Sequence, residues 1–385
     1  MNFLELQVTL SFCIIFFLRM LGMFMVVPVL SKYGMFLDGG NKFLIGLSIG
    51  IYGIAQVLFQ IPFGILFDRF NRKKIILMGL FVFLIGNIIS ASIHSIWGLI
   101  IGRFLQGSGA ISGVCMAYLS DYIREAHRVK SIAAIGVSFA VSFLISIISG
   151  PLIIQKFGFF AIFWIASCLS IICMIIVIVL LPVLQRNQFK KRTHFSYKQL
   201  LKLFLNKIFF RSYMGIFFLH CILMINFMII PNQLEILGCI LSYHWKIYLY
   251  TILISFLILF FFTIYCKNQF ILKNIIEISI FLILISECII LLLHSYLFGM
   301  IIFIQIFFIS FNFLEVFLSS NISNNISKNY KGSAMSIYST SQFLGIAFGG
   351  IFSGWIYSVF TLSQICLLQI FIVLIWYFFS FFCKK

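Results

Sequence analysis

The sequence predicts an all-α polytopic membrane protein with twelve transmembrane helices in two pseudo-symmetric six-helix bundles. Three observations predict it. The 385 residues are 63% hydrophobic and only 9% charged, whereas a soluble domain is about a quarter charged. Apolar stretches of about 20 residues, the length that crosses a bilayer, recur twelve times along the chain. The cations gather in alternate connections between those stretches, the bias that orients a multi-spanning chain. The net charge of +18 does not mark a nucleic-acid binder, because the cations sit in loops between spans and form no single soluble face. Ten cysteines are scattered, mostly inside spans and without a Cys-x-x-Cys pair, so neither a disulfide framework nor a metal site is expected. Fifty residues are phenylalanine. With abundant isoleucine, asparagine and lysine, this reads as a coding bias toward AT-rich codons, and aromatic clusters are read as lipid-facing filler.

Taken in order, the expected spans are 6–30, 43–67, 75–93, 96–119, 131–154 and 160–182, then 209–231, 246–266, 274–293, 298–320, 333–357 and 361–382. The first lacks a basic leader and a small-residue cleavage site and contains Arg19 and Pro28, so it reads as a retained helix and not as a signal peptide. Gly64-Ile65-Leu66-Phe67-Asp68-Arg69-Phe70-Asn71-Arg72-Lys73-Lys74 joins the second span to the third. So short a join makes those helices neighbours, and its four cations mark the cytoplasmic face. Asp68 ends its own helix, where the macrodipole disfavours a carboxylate, so it is expected to serve a guanidinium or the N-terminus of another helix. Asn71 suits the left-handed conformation of a tight turn, and Gly64 suits close helix approach.

The fourth span carries Gly102-Arg103-Phe104-Leu105-Gln106-Gly107-Ser108-Gly109-Ala110. An arginine in hydrocarbon is costly unless paired or wet, so Arg103 is a functional candidate by default. The alternative is a structural arginine tied to backbone carbonyls. Gly107 and Gly109 permit tight packing or bending. Arg19 lies about 20 Å along the first span and Arg103 about 10 Å along the fourth from the opposite end, so they fall at similar depth. Two guanidiniums in one cavity favour an anionic or carboxylate-bearing solute, or a shared internal acid. His220 is mid-span in the seventh helix and can titrate near neutral pH; a histidine hydrogen-bonded in a helix contact is the equal alternative. Glu315 is nearer the cytoplasmic end of the tenth span, and Glu287 is inside the ninth. Gly150-Pro151 in the fifth span frees a carbonyl and makes a flexible point. The segment 183–208 is the longest and most basic connection, and it divides the chain into a bundle over 1–182 and a bundle over 209–385. Lys130-Ser131-Ile132-Ala133-Ala134 and Lys331-Gly332-Ser333-Ala334-Met335 echo one another across that division, as expected of parallel repeats.

These motifs resemble the major facilitator superfamily. The 64–74 turn is similar to its signature loop, Gly-x-Leu-(Ala/Ser)-Asp-Arg-x-Gly-Arg-(Arg/Lys), with Phe67 and Asn71 as departures. Arg103 to Ala110 matches Arg-x-x-Gln-Gly-x-Gly-Ala completely. Gly150-Pro151 resembles Gly-Pro-x-x-Gly-Gly, with Ile154-Gln155 in place of the paired glycines. Arg19 to Leu30, Gly50 to Gly53, Gln60 to Gly64 and Tyr338 to Gly345 resemble the YajR-like branch, grouped with drug:proton antiporters of the bacterial inner membrane. The resemblance implies a monomeric secondary transporter of a small solute with both termini cytoplasmic, working by alternating access within the lipid bilayer with no cofactor. It implies proton coupling through Arg19, Arg103, Gln106, His220 and Glu315, and bending at Gly107, Gly109, Gly150 and Pro151. A conformational latch is expected from Asp68, Arg69, Arg72, Asp121 and Arg124 with Gly332. The ninth helix is peripheral in the family, which leaves Glu287 to snorkel or to pair with a neighbour. Members continue into a small cytoplasmic domain after the twelfth helix, whereas this sequence stops at Lys384-Lys385. Import by the same fold, a non-transporting sensor and a membrane enzyme are the competing readings. The enzyme lacks the clustered acids or His/Cys ligands that metal or general catalysis needs.

Overall fold

The computed structural model describes residues 1–69, 71–182, 206–240, 243–266, 269–326 and 331–382. Among them are twelve helices long and apolar enough to cross a membrane. The first six are Phe3–Phe24 continued by Val27–Tyr33, then Lys42–Arg69, Arg72–Ser92, Ile96–Ser108 continued by Ser112–Tyr122, Glu125–Phe157 and Ala161–Leu180. The second six are Lys207–Ile236, His244–Tyr265, Gln269–Leu293, Leu297–Asn325, Lys331–Val359 and Leu362–Phe382. Each expected span is a helix. Several run past the apolar stretch, because the hydrogen-bond ladder continues into polar residues that a hydrocarbon count leaves out.

Two spans are broken, and sequence chemistry explains each break. Pro28 has no N–H to offer the carbonyl of Phe24, so the ladder of the first span lapses at Met25 and Val26 and resumes at Val27. In the fourth span the helix stops at Ser108 and restarts at Ser112. Between them Ala110 N–H donates to Ser108 O at 2.8 Å and Ile111 N–H to Gly109 O at 2.9 Å. Both bonds are too short-range for a helix, so Gly109 O lies outside the regular ladder.

The chain divides into two compact units, Met1–Phe195 and Ser196–Lys385. Within the first, the first span packs on the fifth and sixth, the third on the fourth and sixth, and the second on the fourth. Within the second, the seventh packs on the eleventh and twelfth, the ninth on the tenth and twelfth, and the eighth on the tenth. Shifting every span number by six turns one neighbour list into the other, which is the pseudo-symmetry the sequence echo suggested. The closest packing also repeats. Ser142 and Ser146 donate to Phe17 O and Leu21 O, and a Cβ added at Gly150 would fall 2.5 Å from Met25 O. In the second unit a Cβ at Gly345 would fall 2.4 Å from Phe217 O. Small residues at four-residue spacing let two backbones meet where lipid supplies no hydrophobic drive. Gly150-Pro151 lies in an unbroken helix, and Gly150 makes this close approach to the break in the first span.

At the face that carries Met1, the first and fifth spans are clamped. Arg124 N-caps the fifth helix. The Glu5 carboxylate accepts from the Arg124 backbone N–H at 3.0 Å, from its Nε at 2.9 Å and from Asn2 N–H at 2.8 Å. That bond lifts the Arg124 guanidinium above its ordinary range. Thr9 and Ser131 hydroxyls meet one turn further in, at 2.9 Å. Nearby, Lys73 Nζ donates to Ile178 O and Leu181 O at 2.7 and 2.9 Å, and the Tyr118 and Tyr122 hydroxyls donate to Pro182 O. These donors cap the sixth span, whose last carbonyls have no helical partner.

Candidate functional site

Each unit gathers a polar cluster among the residues the sequence singled out. In the first unit the interrupted fourth span sets the geometry. A Cβ at Gly107 would lie 2.3 Å from Tyr52 O, and one at Gly109 would lie 2.4 Å from Gly79 O. The two glycines thus press the fourth span onto the second and the third. The guanidiniums of Arg19 and Arg103 are held against these contacts, 2% and 1% exposed.

Arg19 Nη2 donates to Gly109 O at 2.6 Å and to Gln56 Oε1 at 3.3 Å, and its guanidinium stands 5.4 Å from the centre of the Phe83 ring. The break at Gly109 to Ile111 releases the very carbonyl that the arginine takes. Arg103 Nη1 donates to Gln106 Oε1 at 3.0 Å, and its guanidinium lies 4.9 Å from the centre of the Tyr52 ring. Gln106 Nε2 passes the chain on to Asn87 Oδ1 at 3.1 Å and Ser90 Oγ at 3.4 Å, and Asn87 Nδ2 ends it on Phe83 O at 2.8 Å. Tyr52 and Gln56 are one turn apart on the second span, so the two guanidiniums differ in depth by about 6 Å. Arg19 Nε and Nη1 and Arg103 Nε are buried and donate to nothing, and among the described residues neither arginine meets a carboxylate. Two buried cations with donors to spare attract an acceptor-rich anionic group.

In the second unit His220 sits between helices. Its Nδ1 faces Ile216 O at 3.2 Å and its Nε2 faces Gln342 Nε2 at 2.9 Å. The pair is consistent when Nδ1 carries the proton and Nε2 accepts from the amide. Gln342 Nε2 also reaches Glu315 Oε1 at 3.5 Å, and Glu315 Oε2 is 4.0 Å from His220 Nε2. The Phe311 ring stands edge-on to the imidazole, and Tyr338 is within electrostatic range of Glu315. The seventh, tenth and eleventh spans thus bring together an acid, a base and an amide that donates to both.

The structure therefore joins Arg103 to Gln106 and His220 to Glu315, and it places Arg19 one turn from Arg103. Arg72 is buried at the start of the third span, within electrostatic range of Tyr118 and Tyr122. Arg124, expected in the latch, has Glu5 as its carboxylate. Asn71 takes an extended backbone, φ −62°, and caps the third span by accepting from Lys73 N–H, so the left-handed turn expected there is corrected. An Asx cap satisfies a free helix N–H without that strain. The side chains of Asp68, Arg69 and Asp121 and the surroundings of Gly332 lie outside the described residues. Sequence reading gave no role to Asn87, Gln342 or Glu5. The signal was available for the first two, since an isolated amide inside an apolar span calls for a partner. Of the two readings of Glu287, snorkelling or pairing with a neighbour, the structure shows the pairing: it is wholly buried and accepts from Asn226.

The Major Facilitator Superfamily profile matches residues 12–330. The chain belongs to the Major Facilitator Superfamily. A Buchnera aphidicola protein named as a transporter (BU466, subspecies Acyrthosiphon pisum) is 71% identical over 350 residues, 91% of this chain and 90% of that one. The inner membrane transport protein YajR of Escherichia coli strain K12 is 42% identical over 377 residues, 97% of this chain and 82% of that one. Among solved structures, a bacterial homologue of the human lysosomal transporter Spinster superposes with a TM-score of 0.77 at 13% identity, covering 100% of this chain and 97% of that one. The nucleoside transporter NupG superposes with a TM-score of 0.73 at 18% identity, covering both chains fully. Those two likenesses show the fold alone. The protein is a twelve-span membrane transporter of this superfamily, whose members are carriers and not enzymes.

Proposed function

We propose that this superfamily member exports a small solute across the bacterial inner membrane by alternating access, driven by protons. The observation that carries the reading is the His220–Gln342–Glu315 cluster, an acid and an imidazole 4.0 Å apart in the hydrocarbon zone, where ionisable groups mark proton and ion pathways. Arg103, with its Gln106–Asn87 relay, is the second coupling group. The donors left over on Arg19 and Arg103 favour an anionic or carboxylate-bearing solute. Two likenesses support the setting: YajR is named as an inner membrane protein, and the class B tetracycline resistance protein of Escherichia coli is 29% identical over 176 residues. Both termini are assigned to the cytoplasm on the cation bias of the loops.

The test is reconstitution in liposomes with an imposed proton gradient, screened against charged and neutral solutes. The expected result is solute-dependent proton flux that Arg103→Gln and Glu315→Gln each abolish while membrane insertion stays normal. Solute flux that ignores the gradient in both the native protein and the Glu315→Gln variant would overturn proton coupling.

A further inference from the structure

A wholly buried carboxylate, Glu287, stands apart from that cluster. His220 and Asn226 are six residues apart on the seventh span, about 9 Å along the axis and on different faces of the helix. His220 faces the tenth and eleventh spans, whereas Asn226 faces the ninth and twelfth. Asn226 Nδ2 donates to Glu287 Oε1 at 3.1 Å, and Gln369 Nε2 donates to Asn226 Oδ1 at 2.7 Å. Glu287 and Gln369 have no exposed surface. Glu287 Oε2 and Gln369 Oε1 are both buried and accept from nothing.

Two oxygens without a donor, one of them on a carboxylate, are missing a positive centre. Among the described residues no side chain supplies it. The seventh span carries no titratable residue between Ile222 and Leu234, and the tenth none between Leu297 and Leu314. Among the described residues of the twelfth and ninth spans, the groups in electrostatic range are the Cys366 and Cys288 thiols. The nearest guanidinium on the seventh span, Arg211, is fifteen residues from Asn226, about 22 Å along the axis, and it is bonded to Glu277 and Ser380. An ionised carboxylate left alone in hydrocarbon would cost several kcal/mol.

We propose that Glu287, Asn226 and Gln369 form a binding site for a small monovalent cation, a proton or a sodium ion, that neutralises the carboxylate inside the second unit. A proton would sit on Glu287 Oε2; a sodium ion would share the carboxylate and the Gln369 carbonyl oxygen. The site's part in transport rests on the reading of the chain as a coupled carrier: the ninth and twelfth spans would load the cation when packed as here and release it when they part.

The full chain in lipid nanodiscs tests this without a transported solute. A hydrophobic carbodiimide modifies protonated carboxyl groups within membranes, and peptide mass mapping locates the adduct. The expected adduct is on Glu287, absent in Glu287→Gln. If the occupant is sodium, NaCl but not choline chloride protects Glu287, by about tenfold at ten times the dissociation constant. If it is a proton, labelling ignores sodium and falls as the medium is made alkaline. No adduct on Glu287 under either condition, in protein whose other membrane carboxyls are labelled, would overturn the proposal. Identical labelling curves for the native chain, Asn226→Leu and Gln369→Leu would remove the amides from the site and overturn it equally. Gradient-driven flux without Glu287 labelling would sink the site and leave the carrier. Labelling as expected without flux of any solute would sink the carrier and leave the site.

Discussion

At the scale of single residues, the two buried arginines are anchored in different ways. Arg103 leans on a side chain and a ring, so its planar fork matters. Arg103→Lys keeps the charge and loses the bond to Gln106 and the stacking on Tyr52. The expected loss is about 2 kcal/mol, or about 30-fold in flux per inserted molecule, read in the liposome assay. Arg19 leans on the Gly109 carbonyl. Gly109→Ala would drive a Cβ to 2.4 Å from Gly79 O, a backbone atom that cannot swing aside. It is expected to destabilise by about 2 kcal/mol, visible as a lower midpoint of thermal unfolding in detergent, with loss of the Arg19 bond. Arg103 and Gln106 were legible in the sequence because the motif spaces them one turn apart. The partner of Arg19 was not, since a main-chain oxygen has no letter of its own. For Glu287 the sequence left snorkelling or a neighbour open; one face of the ninth helix meets its own bundle, and there Asn226 donates to it.

At the scale of elements, the spans were legible and their interruptions were less so. Hydropathy marks twelve crossings because each must satisfy its own backbone in oil. Pro28 was noted without a break being read from it, and the bending expected at Gly107 and Gly109 did not say that the fourth span would stop at Ser108 and resume at Ser112. The clamp between the first and fifth spans was missed because Glu5 precedes the expected first span and its partner lies more than a hundred residues on. Glu5→Gln removes the ion pair and weakens the cap on the fifth helix. Arg124 is largely exposed, so salt screens the pair. The unfolding midpoint of Glu5→Gln should fall below that of the native chain in dilute buffer, and the gap should narrow as NaCl is raised. An equal gap at all salt concentrations would assign Glu5 a purely structural role.

At the scale of the whole molecule, the chain is one helical plan used twice, with different chemistry installed in each copy. The first unit buries the guanidiniums of Arg19, Arg72 and Arg103, and the second buries the Glu287 carboxyl group and His220, with Glu315 half-buried beside the imidazole. The repeat in packing was foreshadowed only by Lys130 to Ala134 and Lys331 to Met335. The structure makes it visible through neighbours, not letters. The assigned topology is checked by fusing reporters after Lys385 and into the loop near Asp38. A green fluorescent reporter should glow at Lys385, and alkaline phosphatase should be active only near Asp38; the reverse pattern would invert the orientation. The tether of Arg19 to a peptide oxygen has one more consequence. A carboxylate handhold lets go once it is neutralised, but an amide carbonyl stays an acceptor throughout the physiological range. The bond from Arg19 to Gly109 O is therefore one that neutralising a carboxyl group does not remove.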